Sequence, residues 1–238
     1  MRVVCICCYR NEADILEAFV RHNAVYCDEL VLLDHGSTDE SPQITRYLQQ
    51  EGFRLHLLRD ATLGNVEVEQ TNRLLKFAAV DLAADWILAL DADEFITGSP
   101  NHSFLSSGGN EEPCCLKVRT RSYYVHPVKC DQLLNPVEGM THRLAVEEDC
   151  DFKVFVPGSL ARSDDGRLTQ GKHQYFIETR EAPTRILDGI ALAHFSLRSP
   201  AQYAMKLASK QIQKCRQIAK QGDELIYYNA PYALLKES

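Results

Sequence analysis

The sequence predicts an α/β fold in which a mostly parallel sheet is flanked by helices. Apolar runs of strand length alternate with amphipathic helical segments four times within roughly the first 95 residues. Polar or acidic residues directly follow several of these runs. The 238-residue chain contains 45% hydrophobic and 25% charged residues, which is an ordinary globular composition.

The first elements follow from periodicity. Residues 2–9 form an apolar run that predicts the first strand, and the apolar positions of residues 15–23 repeat at helical spacing. Residues 29–33 predict a second strand. Pro42 is expected near the start of the next helix, with Ser41 as its N-cap.

The alternation continues to the fourth strand. Residues 53–58 predict a third strand, residues 66–84 a long helix, and residues 86–90 a short strand that is apolar on both faces. Strands separated by helices in this way predict parallel pairing with right-handed crossovers.

The second half of the chain is less regular. Residues 97–113 are rich in Gly, Ser, Asn and Pro and predict a loop, whereas residues 114–125 and 190–195 predict strands. Residues 129–171 mix Gly, Pro and acids, which favours an irregular, variable region that faces the substrate over a second core. A last helix is expected to begin at Ser199.

Charge and cysteine content limit the function classes. A net charge of −7 argues against nucleic acid or an anionic membrane as the main partner. No apolar segment is long enough to span a membrane, and residues 1–8 are too short for a signal peptide, although peripheral membrane contact stays open. Of the nine cysteines, Cys5, Cys7, Cys8, Cys114 and Cys115 lie in or beside apolar runs, which favours free thiols in a reducing, cytoplasmic compartment.

Three acids end the fourth predicted strand. Asp91, Asp93 and Glu94 directly follow its apolar run, at the edge where open α/β sheets bind ligands. Two carboxylates at positions i and i+2 can converge on Mg²⁺ or Mn²⁺, which can in turn hold a diphosphate. The alternative is that these acids are simply solvated at a strand end.

Several motifs together resemble a known family. They are Arg10-Asn11-Glu12, Asp34-His35-Gly36-Ser37-Thr38-Asp39 and Leu90-Asp91-Ala92-Asp93. In this order they look like a family 2 glycosyltransferase of the GT-A fold, which has a Rossmann-like sheet. The family usually has a second acid where His35 stands.

The resemblance extends to the C-terminal segment and to the domain organisation. His194-Phe195-Ser196-Leu197-Arg198-Ser199, followed by Gln202 and Lys206, looks like the C-terminal segment of a bacterial branch of the superfamily. We therefore expect one GT-A domain over residues 1–238. Residues 1–97 would bind the nucleotide-sugar donor, and residues 98–238 would form the acceptor side and the C-terminal helix.

The resemblance implies a metal site. Asp91 would contact the ribose or the metal, and Asp93 would ligate the Mg²⁺ or Mn²⁺ that bridges the donor diphosphate. His194 would be a third ligand, because GT-A enzymes often use a C-terminal histidine and imidazole suits Mn²⁺. The alternative for His194 is a polar residue that merely ends a strand.

The resemblance also implies a nucleotide site. Asp34 and Glu12 would lie near the base or ribose, and Gly36 would allow the sharp turn there. An Asx-turn is the alternative for Asp34, and interaction with a helix dipole is the alternative for Glu12. Further donor-binding candidates are Gln70, Asn72, His173, Arg198 and Lys206. The alternative for Gln70, Asn72 and Lys206 is a solvated surface residue.

An inverting transfer needs a general base, and the sequence indicates it only weakly. Asp149 is the leading candidate, with Asp164 and Asp165 as rivals. The predicted function is transfer of a sugar from a nucleotide-sugar, UDP-linked by analogy, to a hydroxyl of a glycan or lipid-linked acceptor. Two alternatives stay open: a sugar-1-phosphate nucleotidyltransferase, and a non-catalytic nucleotide- or sugar-binding domain.

Overall fold

The structure of the chain is a computed structural model. It describes residues 1–62, 66–100, 105, 112–124, 136–143, 151–199, 202–204, 206–208 and 211. Within these residues the elements form one large mixed sheet, helices that cover it, and a small second sheet.

The first half alternates strands and helices as predicted. Its elements are β1 Val3–Tyr9, α1 Leu16–Asn23, β2 Glu29–Asp34, α2 Ser41–Gln50, β3 Leu55–Arg59, α3 Glu67–Val80 and β4 Trp86–Ala89. Their strands lie in the order β3-β2-β1-β4, and every adjacent pair is parallel. The predicted parallel α/β arrangement is therefore confirmed.

The second half extends this sheet with mixed pairing. Its elements are β5 Glu94–Thr97, β6 Cys115–Tyr124, α4 Pro136–Gly139, β7 His142–Arg143, β8 Phe152–Pro157, α5 Gly158–Ala161, β9 Gly166–Leu168, a 3₁₀ turn Gln170–Lys172, β10 Tyr175–Ile177, β11 Arg180–Glu181 and β12 Thr184–Leu197. The sheet continues from β4 in the order β8-β6-β12-β5, and β7 pairs with β6. Strands β9, β10 and β11 form the small antiparallel sheet.

Two sequence-based expectations are corrected. Residues 129–171 are not irregular throughout, because β8 is a buried interior strand between β4 and β6. Its signal was masked by Lys153, a charged residue inside an apolar run. Ser41 is the first residue of α2 and not its N-cap, and its hydroxyl accepts a hydrogen bond from the backbone N–H of Glu12 at 3.0 Å. Most of the predicted loop 97–113 lies outside the described residues.

The core occupies both faces of the sheet. On β1, Cys5 and Cys7 face the α1 and α2 side, whereas Val4 and Ile6 face the α3 side. This alternation follows from the two-residue period of a strand, and it buries every residue of the N-terminal strand except the half-buried Cys8. In the part of the chain that the structure covers, no helix combines the length and hydropathy that a membrane-spanning segment requires.

Candidate active site

A cleft of about 770 Å³ opens beside the ends of β1 and β4. The walls are formed by the loop after β1, the turn between β4 and β5, the end of β12 and the C-terminal helical residues 202–204 and 206–208. Among its lining residues are Glu12, Asp91, Asp93, His194 and Lys206. The cleft therefore brings together residues that the sequence predicted from three distant segments.

The turn between β4 and β5 presents Asp91 and Asp93. The carboxylate of Glu94 accepts a hydrogen bond from the N–H of Asp91 at 2.9 Å, and the N–H of Glu94 donates to the Asp91 carbonyl at 3.0 Å. Strand β5 pairs antiparallel with β12, with His194 opposite Glu94. The N–H of Phe195 donates to the carbonyl of Asp93 at 2.9 Å, so this register places His194 beside Asp93.

Asp91 contacts two lysines. Lys153 Nζ donates to Asp91 Oδ2 at 2.6 Å, and Lys172 Nζ donates to Asp91 Oδ1. Lys153 also lies 3.2 Å from Glu94 Oε1. Burial opposes ionisation of Asp91, but the charges of Lys172 and Lys153 outweigh it and hold the pKa of Asp91 below its usual value. Asp91 is therefore an ionised carboxylate at neutral pH.

Asp93 is neutralised by a different part of the chain. Lys206 Nζ donates to Asp93 Oδ2 at 2.7 Å, Arg198 Nη1 lies 3.4 Å from the same oxygen, and His194 Nε2 lies 3.5 Å from Oδ1. Burial raises the pKa of Asp93, but His194 and Lys206 outweigh this effect and keep the pKa low. Burial lowers the pKa of His194, and the hydrogen bond and charge of Asp93 raise it above its ordinary value.

Arg198 is buried among acids. Its Nε and Nη2 donate to the two carboxylate oxygens of Asp14 at 2.7 and 3.0 Å, and Nη2 also contacts Glu12. Burial raises the pKa of Glu12, against the lowering effect of Arg198 and Lys206. A buried, bidentate guanidinium of this kind fixes the loop after β1 to the C-terminal segment.

The turn after β2 holds Asp34. Its Oδ1 accepts a hydrogen bond from the N–H of Ser37 at 2.8 Å, which is the Asx-turn that the sequence left as an alternative. Its buried Oδ2 has no hydrogen-bond partner and lies 3.6 Å from Arg59 Nε. Gly36 adopts φ +70°, a left-handed conformation that favours glycine. The turn thus occupies one carboxylate oxygen of Asp34 with the Asx-turn hydrogen bond, while the other faces Arg59.

Gln70 and His35 meet next to this turn. Gln70 Nε2 lies 2.8 Å from His35 Nδ1, and the same ring nitrogen lies 3.1 Å from the carbonyl of Asp60. His35, which stands where the resembled family has an acid, therefore joins α3 to the loop after β3. Gln70 is buried near the Asp34 turn, and its proposed contact with the nucleotide stays a prediction.

Asn72 and His173 make contacts with the protein itself. The Asn72 side chain donates to the carbonyl of Leu168 at 3.0 Å and accepts from its N–H at 2.7 Å, which ties α3 to β9. His173 Nδ1 lies 2.7 Å from the carbonyl of Phe152, at the start of β8. Their predicted roles in donor binding also stay predictions.

The candidate bases give no firm assignment. Asp149, the leading candidate, lies outside the described residues. Asp164 is fully exposed and lies 3.5 Å from Lys76 Nζ on α3. Neither Asp164 nor Asp165 is among the described residues that line the cleft.

Sequence reasoning missed three charged residues at this site. They are Asp14, Lys153 and Lys172. Lys153 carried a usable signal, because a single lysine within the apolar run of β8 must find a carboxylate partner when it is buried. Lys172 carried no local signal, since its position depends on a turn that brings it under Asp91.

Comparison with protein families gives a match that covers the N-terminal part of the chain. Residues 3–99 match the family model described as Glycosyl transferase family 2. The matched segment runs from β1 through β5 and contains Glu12, Asp34, Asp91 and Asp93. The match supports the prediction that the chain is a glycosyltransferase. It does not reach the C-terminal segment, so the bacterial branch stays a prediction.

Solved structures show the fold. The chain is similar to S. aureus TarS 1-349 in complex with UDP-GlcNAc, with 14% identity, a TM-score of 0.55, and coverage of 82% of this chain and 58% of that one. For the same protein in complex with UDP, the identity is 13%, the TM-score is 0.53, and the coverage is 90% of this chain and 65% of that one. For GalNAc-T7 with UDP, GalNAc and Mn²⁺, the identity is 11%, the TM-score is 0.51, and the coverage is 84% of this chain and 44% of that one.

These similarities establish a GT-A fold, as predicted. The chain spans less than two thirds of each of these three chains. No curated protein matches the chain by sequence.

Proposed function

We propose that the chain is a metal-dependent, inverting glycosyltransferase. It transfers a sugar from a nucleotide-sugar, UDP-linked, to a hydroxyl of a glycan or lipid-linked acceptor. One observation carries the proposal: the two aspartates that follow β4, inside the matched segment, line one cleft together with His194 and Lys206. Similar chains occur in complex with UDP-GlcNAc and with UDP and Mn²⁺.

Asp93 and His194 suit a divalent cation. A carboxylate oxygen and an imidazole nitrogen are donors that Mn²⁺ accepts, and Asp93 Oδ1 and His194 Nε2 are neighbours at 3.5 Å. No group of three His, Cys, Asp or Glu side chains within the described residues is placed to hold a metal ion. Such a cage is unnecessary here, because Mg²⁺ is commonly held by one or two carboxylates plus substrate phosphates. Bound there, the cation would offset negative charge on the leaving nucleoside diphosphate.

Cationic side chains offset the acids of the cleft. Lys153, Lys172, Arg198 and Lys206 each contact at least one carboxylate, so an anionic diphosphate does not approach a bare acidic cluster. Lys206 is the half-exposed member of this set and is the proposed phosphate contact. Arg198 contributes to donor binding by holding in place the loop that carries Glu12.

The nucleoside is proposed to lie against the turn after β2. Asp34 accepts a hydrogen bond from base or ribose at Oδ2 once the exposed Arg59 side chain turns away from that oxygen, and Gly36 lets the backbone approach. Gln70, Asn72 and His173 complete the proposed donor side. Asp149 is the proposed general base that takes the proton of the acceptor hydroxyl during in-line displacement at the anomeric carbon. We further propose that the protein acts in the cytoplasm.

The alternatives are less well supported. Nucleotidyltransferases usually hold a triphosphate with a Gly-rich loop after the first strand, whereas the loop from Cys8 to Glu12 contains no glycine. A non-catalytic binding domain would bind the nucleotide-sugar without transferring the sugar, so turnover separates it from an enzyme. Pyrophosphate release from UTP and a sugar 1-phosphate would favour the first alternative.

The test combines binding and turnover. Calorimetry measures UDP binding with Mn²⁺, and UDP release is followed with a panel of UDP-sugars and hydroxyl acceptors. We expect UDP to bind and Asp93→Asn to lower turnover by about 10³-fold, since a lost metal ligand forfeits several kcal/mol of charge stabilisation. Asp81→Asn is the matched control, because Asp81 is exposed at the end of α3.

Two results would contradict the proposal. One is the absence of both UDP binding and sugar transfer. The other is an Asp93→Asn protein that transfers sugar as fast as the Asp81→Asn control.

A further inference from the structure

We infer that Lys153 and Lys172 are positioning residues that prevent Asp91 from ligating the divalent cation, so that the cation is bound on the Asp93 side of the turn. The inference rests on the proposed function, because that function supplies the cation. It concerns two lysines to which neither the family resemblance nor the comparisons assign a role.

The geometry leaves no free oxygen on Asp91 for a metal. Oδ2 accepts from Lys153 Nζ at 2.6 Å, and Oδ1 accepts from Lys172 Nζ. A divalent cation that bound either oxygen would lie next to two ammonium groups, and like charges at such distances repel strongly in a partly dry site. The exposed part of Asp91 can still accept hydrogen bonds from neutral donors such as hydroxyls.

Neither lysine can easily withdraw. The side chain of Lys153 is 5% exposed and lies on β8 inside the sheet, and that of Lys172 is 2% exposed. Lys172 adopts φ +61° directly after Gly171 at φ +71°. Such a backbone is costly for a residue with a side chain, and it persists only where surrounding contacts enforce it.

The turn around Lys172 supplies these contacts. The N–H of Lys172 donates to the carbonyl of Thr169 at 3.0 Å. A Cβ at Gly171 would lie 2.5 Å from His173 Nε2, and His173 Nδ1 is bound to the carbonyl of Phe152 on β8. The two lysine-bearing segments therefore hold each other in place beneath Asp91.

Asp93 differs in this respect. Its closest cation, Lys206, has a side chain that is 33% exposed and can turn into the cleft. His194 lies beside it with a side chain that is 26% exposed. Buried Arg198 Nη1 lies 3.4 Å from Asp93 Oδ2, whereas Oδ1 faces the half-exposed His194. An arriving cation could therefore bind Asp93 through Oδ1, while each oxygen of Asp91 already accepts from a buried lysine.

Manganese affinity without substrate tests the inference. Calorimetry and the EPR signal of free Mn²⁺ give the Kd for the wild type and for variants. We expect Asp91→Asn to change the Kd by less than about threefold and Asp93→Asn to weaken it by at least about tenfold. Lys153→Met should tighten Mn²⁺ binding by about tenfold because it frees one Asp91 oxygen, and Lys153→Met/Asp91→Asn should lose that gain.

The controls separate charge from packing. Lys153→Arg keeps the charge and should keep the wild-type Kd, and Lys117→Met removes a lysine that pairs with Glu181 away from the cleft. Thermal melting confirms folding of each variant and gives a second readout, since a bound ion raises Tm. A gain of metal affinity that disappears in Lys153→Met/Asp91→Asn is a result that a purely structural lysine would not produce.

The inference is overturned if Asp91→Asn weakens Mn²⁺ binding by tenfold or more. It is also overturned if folded Lys153→Met shows no gain. Should Lys153→Met fail to fold, Lys172→Met replaces it, and the Asp91→Asn result decides if both fail.

Loss of the inference and loss of the proposed function look different. Sugar transfer by the wild type together with Mn²⁺ binding that depends on Asp91 removes only the inference. If Mn²⁺ binding is unchanged by Asp91→Asn and the wild type transfers no sugar, only the proposed function is contradicted.

Discussion

Asp91 and Asp93 are two residues apart, yet two different regions of the molecule neutralise them. The partners of Asp91 are the buried lysines of β8 and of the 3₁₀ turn. Apart from buried Arg198, the partners of Asp93 are half-exposed side chains of the C-terminal segment. Counter-ions that are buried are fixed parts of the fold, whereas exposed ones can be exchanged for a ligand. The burial of the counter-ions therefore distinguishes the roles of Asp91 and Asp93 more clearly than the positions of the two acids in the sequence do.

Substitution of Lys153 is the most direct test of the difference between Asp91 and Asp93, and it has the largest expected effect. Replacement of Lys153 by Met leaves Asp91 and buried Glu94 short of a positive partner, and breaking a buried ion pair costs about 3–5 kcal/mol. We expect a loss of that size in the free energy of unfolding measured with urea. Lys117→Met, with a more exposed side chain, should cost less than about 1 kcal/mol. Equal losses in the two variants would show that burial does not set the difference.

Arg198 provides the next largest test. Arg198→Lys keeps the charge but loses the fork that binds both oxygens of Asp14, and the mostly buried Glu12 also loses a partner. The expected cost is about 1–3 kcal/mol in urea unfolding. A wild-type midpoint would mean that charge alone, without bidentate geometry, holds the C-terminal segment to the loop after β1.

The pH dependence of stability sharpens the Asp93 side. Against the lowering effect of burial, Asp93 raises the folded-state pKa of His194 above its ordinary 6.5. Protonated His194 therefore contributes its full stabilisation of the fold at pH values below 6.5. This contribution disappears as pH rises through the raised pKa. In EDTA, wild type should therefore exceed His194→Gln by up to about 1 kcal/mol near pH 5.5, and by less near pH 9. A difference that grows toward high pH would contradict the pairing.

Lys206 should give the smallest change in stability. Its side chain is 33% exposed, and exposed ion pairs contribute about 0–1 kcal/mol. Lys206→Met should thus unfold within about 1 kcal/mol of wild type while UDP binding weakens. A loss near that of Lys153→Met would place Lys206 in the fixed network and weaken the argument that a cation can replace it at Asp93.

The sequence predicted the first half of the fold well because its signals are local. Each strand from β1 to β4 is a short apolar run, and each intervening helix repeats apolar residues at its own period. The second half depended on long-range pairing, so β8 was hidden by Lys153 and by the irregular residues around it. Its place between β4 and β6 could not be deduced from local pattern.

The site shows the same division. Asp91, Asp93 and His194 were found because acids directly follow an apolar strand and because the motifs resemble a family. Asp14 and Lys172 were missed, since nothing near them in the chain indicates the partners they meet. The identity of a counter-ion is a property of the folded surroundings.

The glycine at position 171 has a practical consequence. A single added methyl group there would lie 2.5 Å from His173 Nε2, so either the His173 ring or the turn that carries Lys172 would have to move. Anyone who transplants the lysine pair into another scaffold, in order to reserve a carboxylate from metals, would have to carry this small surface bend along with it.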